Sequence, residues 1–397
     1  MKWVGALKLG AIGFAMAVLV GGGASAQTAP GVTKDEVLLG SWSALTGPMT
    51  VYGLPGVAGQ SAYYKRINDA GGIKGRKIRV ITEDNGYNPQ RTVAAARKLI
   101  EGDKVLAIQG AFASAATEAA FPYVLGQEKI PFVLPYSGAS HWYTGEDKPT
   151  LLGAMVPYDY HSIILGRWAA KEGAKNILVV HASSKTFEDN AVKIEPAAKA
   201  VSPDVKVTLM PVKMGSADWA PIALEIAAMK PDAVVSISSI PDLVALAKAL
   251  QQQNVNVKIY TYAGGVSKET IKLGGSAVEG VRAVSYTLPL ESNVPAVKEY
   301  RDDMAKYEPQ EAPDFGSLMT YAQAKIMAEV LRVADEPLNR ENLLKAFYKI
   351  KDFDTGIIGK VSFSADRRLG ATLLQRVEIR KGQWETVGDF VDYNSAW

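Results

Sequence analysis

The residues best suited to chemistry in this chain are hydroxyls and aromatic rings set in glycine-bearing loops. After a strand-like run ending at Ile108 comes Gly110-Ala111-Phe112-Ala113-Ser114-Ala115-Ala116-Thr117. Glycine lets a ligand approach the backbone. Ser114 is placed to cap a helix whose first amides lack internal partners and carry partial positive charge. Such a helix start suits a carboxylate; a serine that merely caps its helix fits the same pattern. Pro135-Tyr136-Ser137-Gly138-Ala139-Ser140 follows the next strand. Further on, His181-Ala182-Ser183-Ser184 precedes Phe187, a strand ends at Ser236, Ser238 and Ser239, and another ends at Tyr262-Ala263-Gly264-Gly265. Tyr52 follows the first strand. One such ring alone reads as packing. Their repetition at strand ends, with little charge between them, reads as a largely apolar pocket with a few polar anchors.

Other chemistries find little support. His141, His161 and His181 match no metal-ligand spacing, and the phosphate-binding and dinucleotide-binding glycine motifs are missing. So is the hydrolase elbow, glycine-x-serine-x-glycine. The absence of cysteine excludes disulfides, thiol catalysis, cysteine metal sites and a lipid-modified N-terminal cysteine. No cofactor or metal is expected. Carboxylates brought together by folding stay open at this level.

Stepping outward, apolar strand runs alternate with helical patterns. Strands are expected over 37–42, 77–83, 105–108 and 131–134, with helices over 53–70, 89–102 and 114–126 between them. The rhythm repeats with helices over 158–172, 187–200, 219–229 and 241–253, and strands over 176–180, 205–210, 233–238 and 257–262. This alternation means parallel sheets covered by helices on both faces, in two similar α/β lobes. The last third differs: a strand over 281–285, helices over 294–307, 314–334 and 340–350, then strands over 359–363, 373–380 and 383–387. The last two are joined by a Lys381-Gly382 hairpin turn.

A length of 397 residues suits two domains, and 48% apolar with 21% charged residues is an ordinary globular balance. The net charge of +3 gives no case for a nucleic-acid partner. Lys2 and Lys8, the apolar run over 9–20 and Ala24-Ser25-Ala26 read as an export signal cleaved after Ala26. The run is shorter than the ~20 residues that span a bilayer comfortably. Export without an anchor points to the periplasm.

Several segments, taken in order, resemble the branched-chain amino-acid (Leu/Ile/Val-binding protein-like) periplasmic solute-binding proteins of ABC transporters. They are Leu45-Thr46-Gly47-Pro48 with Tyr52-Gly53, and Ile67-Asn68-Asp69-Ala70-Gly71-Gly72-Ile73-Lys74-Gly75-Arg76. Asp84 with Pro89, the Gly110, Ser114 and Thr117 loop, and Ile130-Pro131-Phe132 with Pro135 complete the set. The resemblance implies the type I periplasmic binding fold: two doubly wound parallel-sheet lobes joined by three crossings. With crossings near Val156, Val284 and Thr355, lobe 1 takes 27–155 and 285–355, and lobe 2 takes 156–284 and 356–397.

By the same resemblance, Ser114 holds a ligand carboxylate, Ala113 and Tyr136 neighbour it, and Tyr52 lies near the ligand side chain. Ser137, Phe187 and Ser239 join the expected cleft. Two positions depart from the family pattern. Gly138 stands where amino-acid binders carry a hydroxyl, and Gly264 where they carry the acid that neutralises the ligand ammonium. The family's tyrosine in the second lobe falls near Thr186 or Phe187, and its usual disulfide is impossible here.

A buried ammonium without a partner is very costly. Losing the acid therefore favours a carboxylate ligand without an ammonium, an aromatic or other apolar organic acid. A branched-chain or aromatic amino acid remains the alternative if Asp159 or Glu188 replaces the acid. The implied role is a monomeric, non-enzymatic receptor that delivers its ligand to an ABC transporter permease. A sensory ligand-binding module and an exported hydrolase with an unrecognised site are the competing classes.

Overall fold

The computed structural model describes Met1 and residues 29–393 other than 146 and 217. The export signal and its cleavage site at Ala26 lie outside the described residues.

The first sheet is built from β1 (Glu36–Ser43), β2 (Lys77–Asp84), β3 (Ile108–Gln109), β4 (Phe132–Val133) and β5 (Leu151–Leu152). They lie in the order β2-β1-β3-β4-β5, with every pairing parallel. Between them run α1 (Thr50–Asp69), α2 (Pro89–Arg97) and the short α3 (Ser114–Glu118). Asn88 caps α2 by accepting the Arg91 amide, and Pro89 occupies the first turn, where its missing N–H costs nothing. The helix expected over 114–126 is broken: α3 stops at Glu118 and a wider π turn runs over Pro122–Gln127. Pro122 has no amide to continue the α ladder.

The second unit repeats the plan. It contains α4 (Tyr158–Lys171), β6 (Asn176–Ala182), α5 (Lys185–Ala191), α6 (Ile194–Lys199) and β7 (Lys206–Val212). Then come α7 (Ala220–Met229), β8 (Ala233–Ile237), α8 (Ile240–Gln252), β9 (Lys258–Thr261), α9 (Lys268–Gly274) and β10 (Arg282–Ser285). The expected helix over 187–200 is split between α5 and α6, and Pro196 in α6 cannot donate to residue 192. Strands β7-β6-β8-β9-β10 are parallel in the same order as the first sheet. β8 is buried along its whole length, as a strand covered on both faces must be.

The last third divides between the units. α10 (Pro295–Tyr307) and α11 (Phe315–Val333) pack on α1, and α12 (Arg340–Phe347) packs on α11. Gly59 makes the α1–α11 approach possible: a Cβ there would stand 1.9 Å from the Ser317 carbonyl oxygen. β11 (Leu373–Arg380) and β12 (Gln383–Asp392) extend the second sheet as an antiparallel hairpin beside β10. Its turn residues Lys381 and Gly382 both have positive φ (52° and 69°), the conformation a tight hairpin requires. These two units, each a doubly wound parallel sheet with helices, form a type I periplasmic binding fold.

The strand expected over 359–363 does not form; Val361 makes only a bridge to Phe353. Phe363 packs edge-on against Phe347, and Gly370 donates to the Gly153 carbonyl. These contacts hold part of 356–370 against the first unit. The three connections lie together, with Thr287 bridged to Ile358 and Gly153 to Leu369. Among the described residues, no helix is long and apolar enough to cross a membrane.

Candidate functional site

The carboxyl ends of both sheets face a common cleft. In each unit the strand order reverses between the first strand and the one beside it, and the loops leaving those two strands diverge to leave a crevice. From the first unit, Tyr52 follows β1 and Phe112 follows β3; from the second, Phe187 follows β6 and Ser239 follows β8. All four line one cavity. The volume in it open to the centres of water molecules is ≈ 80 Å³. A cavity of this size suits a compact organic molecule rather than a long chain.

The cavity wall is aromatic from both sides. In the first unit Phe112 is the hub, with Tyr52, Tyr87 and Tyr136 rings at 6.0, 5.7 and 5.4 Å. In the second, Tyr158 stacks on Phe187 at 6.3 Å, and Tyr262 stands edge-on to Tyr158 at 5.5 Å and to Phe187 at 5.9 Å. Burial pushes the Tyr52, Tyr136, Tyr158 and Tyr262 phenols above their ordinary range, so they act as neutral hydroxyls.

The nine positions marked from the sequence separate into three groups. Tyr52, Ser114, Tyr136, Phe187, Ser239 and Gly264 line the cavity. Ala113 and Ser137 stand behind it. Ser137 shares a 2.7 Å hydrogen bond with the Ser114 hydroxyl, and Ala113 is buried with φ of 96°. Ser114 is not a cap: it is the first residue of α3, and Ala113 holds the cap position with no side-chain bond. The left-handed turn at Ala113 moves the helix start one residue earlier and frees the Ser114 hydroxyl for Ser137. Gly138 lies beneath the Tyr158 ring. A Cβ at Gly138 would stand 2.5 Å from Tyr158 Cε1.

Gly264 shows the same relationship: a Cβ there would stand 2.3 Å from Tyr262 Cζ. At both Gly138 and Gly264 a tyrosine ring fills the space a side chain would need. Tyr262, read from the sequence as one of the strand-end rings, lines the cavity, and so does Tyr158, which sequence reading did not single out. Neither carries a motif, and only the packing shows why both glycines are required.

Asp314 also escaped sequence reading. It lines the cavity at the start of α11, where Oδ1 accepts the Gly316 amide and Oδ2 the Ser267 hydroxyl and Lys268 amide. Burial raises its pKa, opposed by those hydrogen bonds. Its DFGS start, a capping box with Ser317, was the available signal. Asp159 opens instead onto a separate cleft with His141 and Arg368, and Glu188 is not among the residues lining the cavity. Tyr286 and Thr287, on the second crossing, line the cavity with buried hydroxyls that have no partner.

Residues 36–383 match the family model described as periplasmic binding protein. The chain belongs to that family. Leu/Ile/Val-binding protein homolog 1 of Brucella melitensis biotype 1 is 27% identical over 357 residues, covering 88% of this chain and 90% of that protein. The Leu/Ile/Val-binding protein of Citrobacter freundii is 22% identical over 304 residues, covering 76% and 81%. Among solved structures, a branched-chain amino acid ABC transporter protein of Thermus thermophilus with bound valine superposes with a TM-score of 0.82 at 17% identity. That match covers 91% of this chain and 97% of the other. A fatty acid ABC transporter substrate-binding protein of Thermomonospora curvata superposes with a TM-score of 0.81 at 21% identity, covering 92% and 95%. These structural likenesses carry the fold. Among the described residues, no three metal-ligating side chains come together.

Proposed function

We propose that this protein is an exported, non-enzymatic receptor that hands a small, largely apolar carboxylate, preferably an aromatic acid, to the permease of an ABC importer. One observation supports the ligand class: the Tyr262 ring fills the space a side chain at position 264 would need, the position where the family resemblance expects an acid to meet a ligand ammonium. The neighbouring wall is rings and neutral hydroxyls. The Ser114–Ser137 pair can donate one hydroxyl proton outward while keeping its mutual bond. This supports a carboxylate at Ser114 with a planar apolar body between the Phe112 and Tyr262 ring clusters. Structural neighbours named for valine and for fatty acid both point to ligands with an apolar body and a carboxylate.

A second reading, an α-amino acid, is favoured by Asp314, the one carboxylate on the cavity wall among the described residues. Calorimetry on matched pairs separates the two: benzoate and 3-phenylpropionate against leucine and phenylalanine. The main reading expects the acids to bind at least about tenfold more tightly, ~1.4 kcal/mol. Tight phenylalanine or leucine binding with no response to the acids overturns it in favour of Asp314 as the ammonium partner. Ser114→Ala is expected to weaken acid binding about 10- to 150-fold, the worth of one hydrogen bond to a charged group at roughly 1.5–3 kcal/mol.

A further inference from the structure

We infer that Tyr262, braced by Tyr158 and Phe187, is the size gauge of the cavity and restricts this receptor to short ligands. The inference rests on the receptor reading above and adds the residue that limits ligand length. Tyr262 is 5% exposed, and its ring end lies against the Gly264 backbone, 2.3 and 2.4 Å from where a Cβ would stand. It has little freedom to swing away, because Tyr158 and Phe187 meet it edge-on at interplanar angles of 82° and 81°. Tyr158 and Phe187 are themselves stacked, with an interplanar angle of 18°. Tyr158 in turn is pinned over Gly138 and donates its backbone amide to the Gly138 carbonyl at 2.8 Å. The two rings thus stand on glycine floors and buttress one another. Close-packed side chains in this arrangement yield only by moving as a group. The small remaining volume, ≈ 80 Å³ to water centres, is what they leave.

Removing the Tyr262 ring merges its volume with the cavity. The test is calorimetry of the wild type, Tyr262→Ala, Tyr262→Leu and Tyr262→Phe with benzoate and octanoate. The wild type and Tyr262→Phe are expected to favour benzoate over octanoate by at least about tenfold. Tyr262→Ala is expected to reverse that order, with octanoate tightening at least about tenfold. Tyr262→Leu, which keeps an apolar filler, supports the same reversal should the alanine variant lose its cooperative melt. Equal binding of both acids by the wild type overturns the proposal. So does an unchanged preference in both Tyr262→Ala and Tyr262→Leu. If the wild type binds leucine and neither acid, the carboxylate reading falls and the gauge is read on leucine against 2-aminooctanoate, with the same reversal required. Binding of none of these compounds overturns both.

Discussion

The Ser267 hydroxyl donates to the Asp314 carboxylate at 2.8 Å across the cleft, tying the start of α9 in the second unit to the start of α11 in the first. The same oxygen accepts the Lys268 amide at 3.0 Å. Asp314 is therefore a helix cap in one unit and an acceptor for the other. Ser267→Ala removes the bond to a charged acceptor, worth about 1.5–3 kcal/mol, and with it the Ser267 cap on the Glu269 amide. Because the inter-unit bond exists only when the units approach, the variant should populate the open form more. Solution scattering of the unliganded variant should give a larger radius of gyration than the wild type, and Ser267→Thr should restore it. An unchanged profile in Ser267→Ala denies the contact any part in closure.

Tyr52 makes the second tie. Its hydroxyl accepts the Ile240 amide at 3.2 Å and donates to the Gly264 carbonyl at 3.4 Å, reaching the loops after β8 and β9 from α1. Tyr52→Phe keeps the ring against Phe112 and loses both bonds, together about 1–2 kcal/mol. The expected result is ligand dissociation faster by about 5- to 30-fold, with association changed by less than about twofold, since closure follows encounter. Stopped-flow fluorescence measures both rates. A change confined to association contradicts the latch.

The alternation of strands and helices was legible because buried parallel strands read as apolar runs and helices as periodic ones. Even the hairpin turn at Lys381 and Gly382 was visible in the sequence. Local backbone events were not. The left-handed turn at Ala113 carries no residue preference that announces it, so Ser114 reads as a cap when it is the first helical residue. Glycine at 138 and at 264 reads as a loss of polar contacts. The gain that accompanies each loss is a tyrosine ring: Tyr158 reaches Gly138 from twenty residues away, and Tyr262 folds back over Gly264 from two residues before it, a side-chain direction that residue order alone does not give. Asp314 reads as a helix start, and its second role needs α9 to be brought opposite.

His161 sets a pH dependence of stability. It is wholly buried, and burial lowers its pKa to about 3 from the ordinary 6.5. Nε2 faces the Val156 carbonyl and Nδ1 the Ala263 amide, a pattern that the neutral ring with its proton on Nε2 satisfies. As pH falls below 6.5 the unfolded chain takes up the proton and the folded one does not, so stability falls toward pH 3. At ~1.36 kcal/mol per pH unit, this residue should cost up to about 3 kcal/mol between pH 7 and pH 4. Urea unfolding of the wild type and His161→Gln at both pH values isolates it. The variant should lose less stability on acidification, and equal losses in both would show that His161 does not titrate this way.

Restoring an acid at position 264 tests why glycine stands there. Gly264→Glu places a side chain where Tyr262 Cζ would be 2.3 Å from the new Cβ, and the ring has no slack to move. Overpacking of this kind typically costs about 1–3 kcal/mol, and here it adds a buried carboxylate without a cation. The single variant should melt at lower temperature and bind poorly. In Gly264→Glu with Tyr262→Ala the clash is gone and the acid faces the cavity. A ligand ammonium then supplies the missing counter-charge, so leucine should gain affinity over its deaminated analogue, 4-methylpentanoate, by at least about tenfold relative to the wild-type ratio. Thermal melts report the relief of overpacking, and calorimetry on the matched pair reports the exchange of specificity. A double variant that stays as unstable as the single one would place the cost of an acid at 264 in its charge rather than in the ring it displaces.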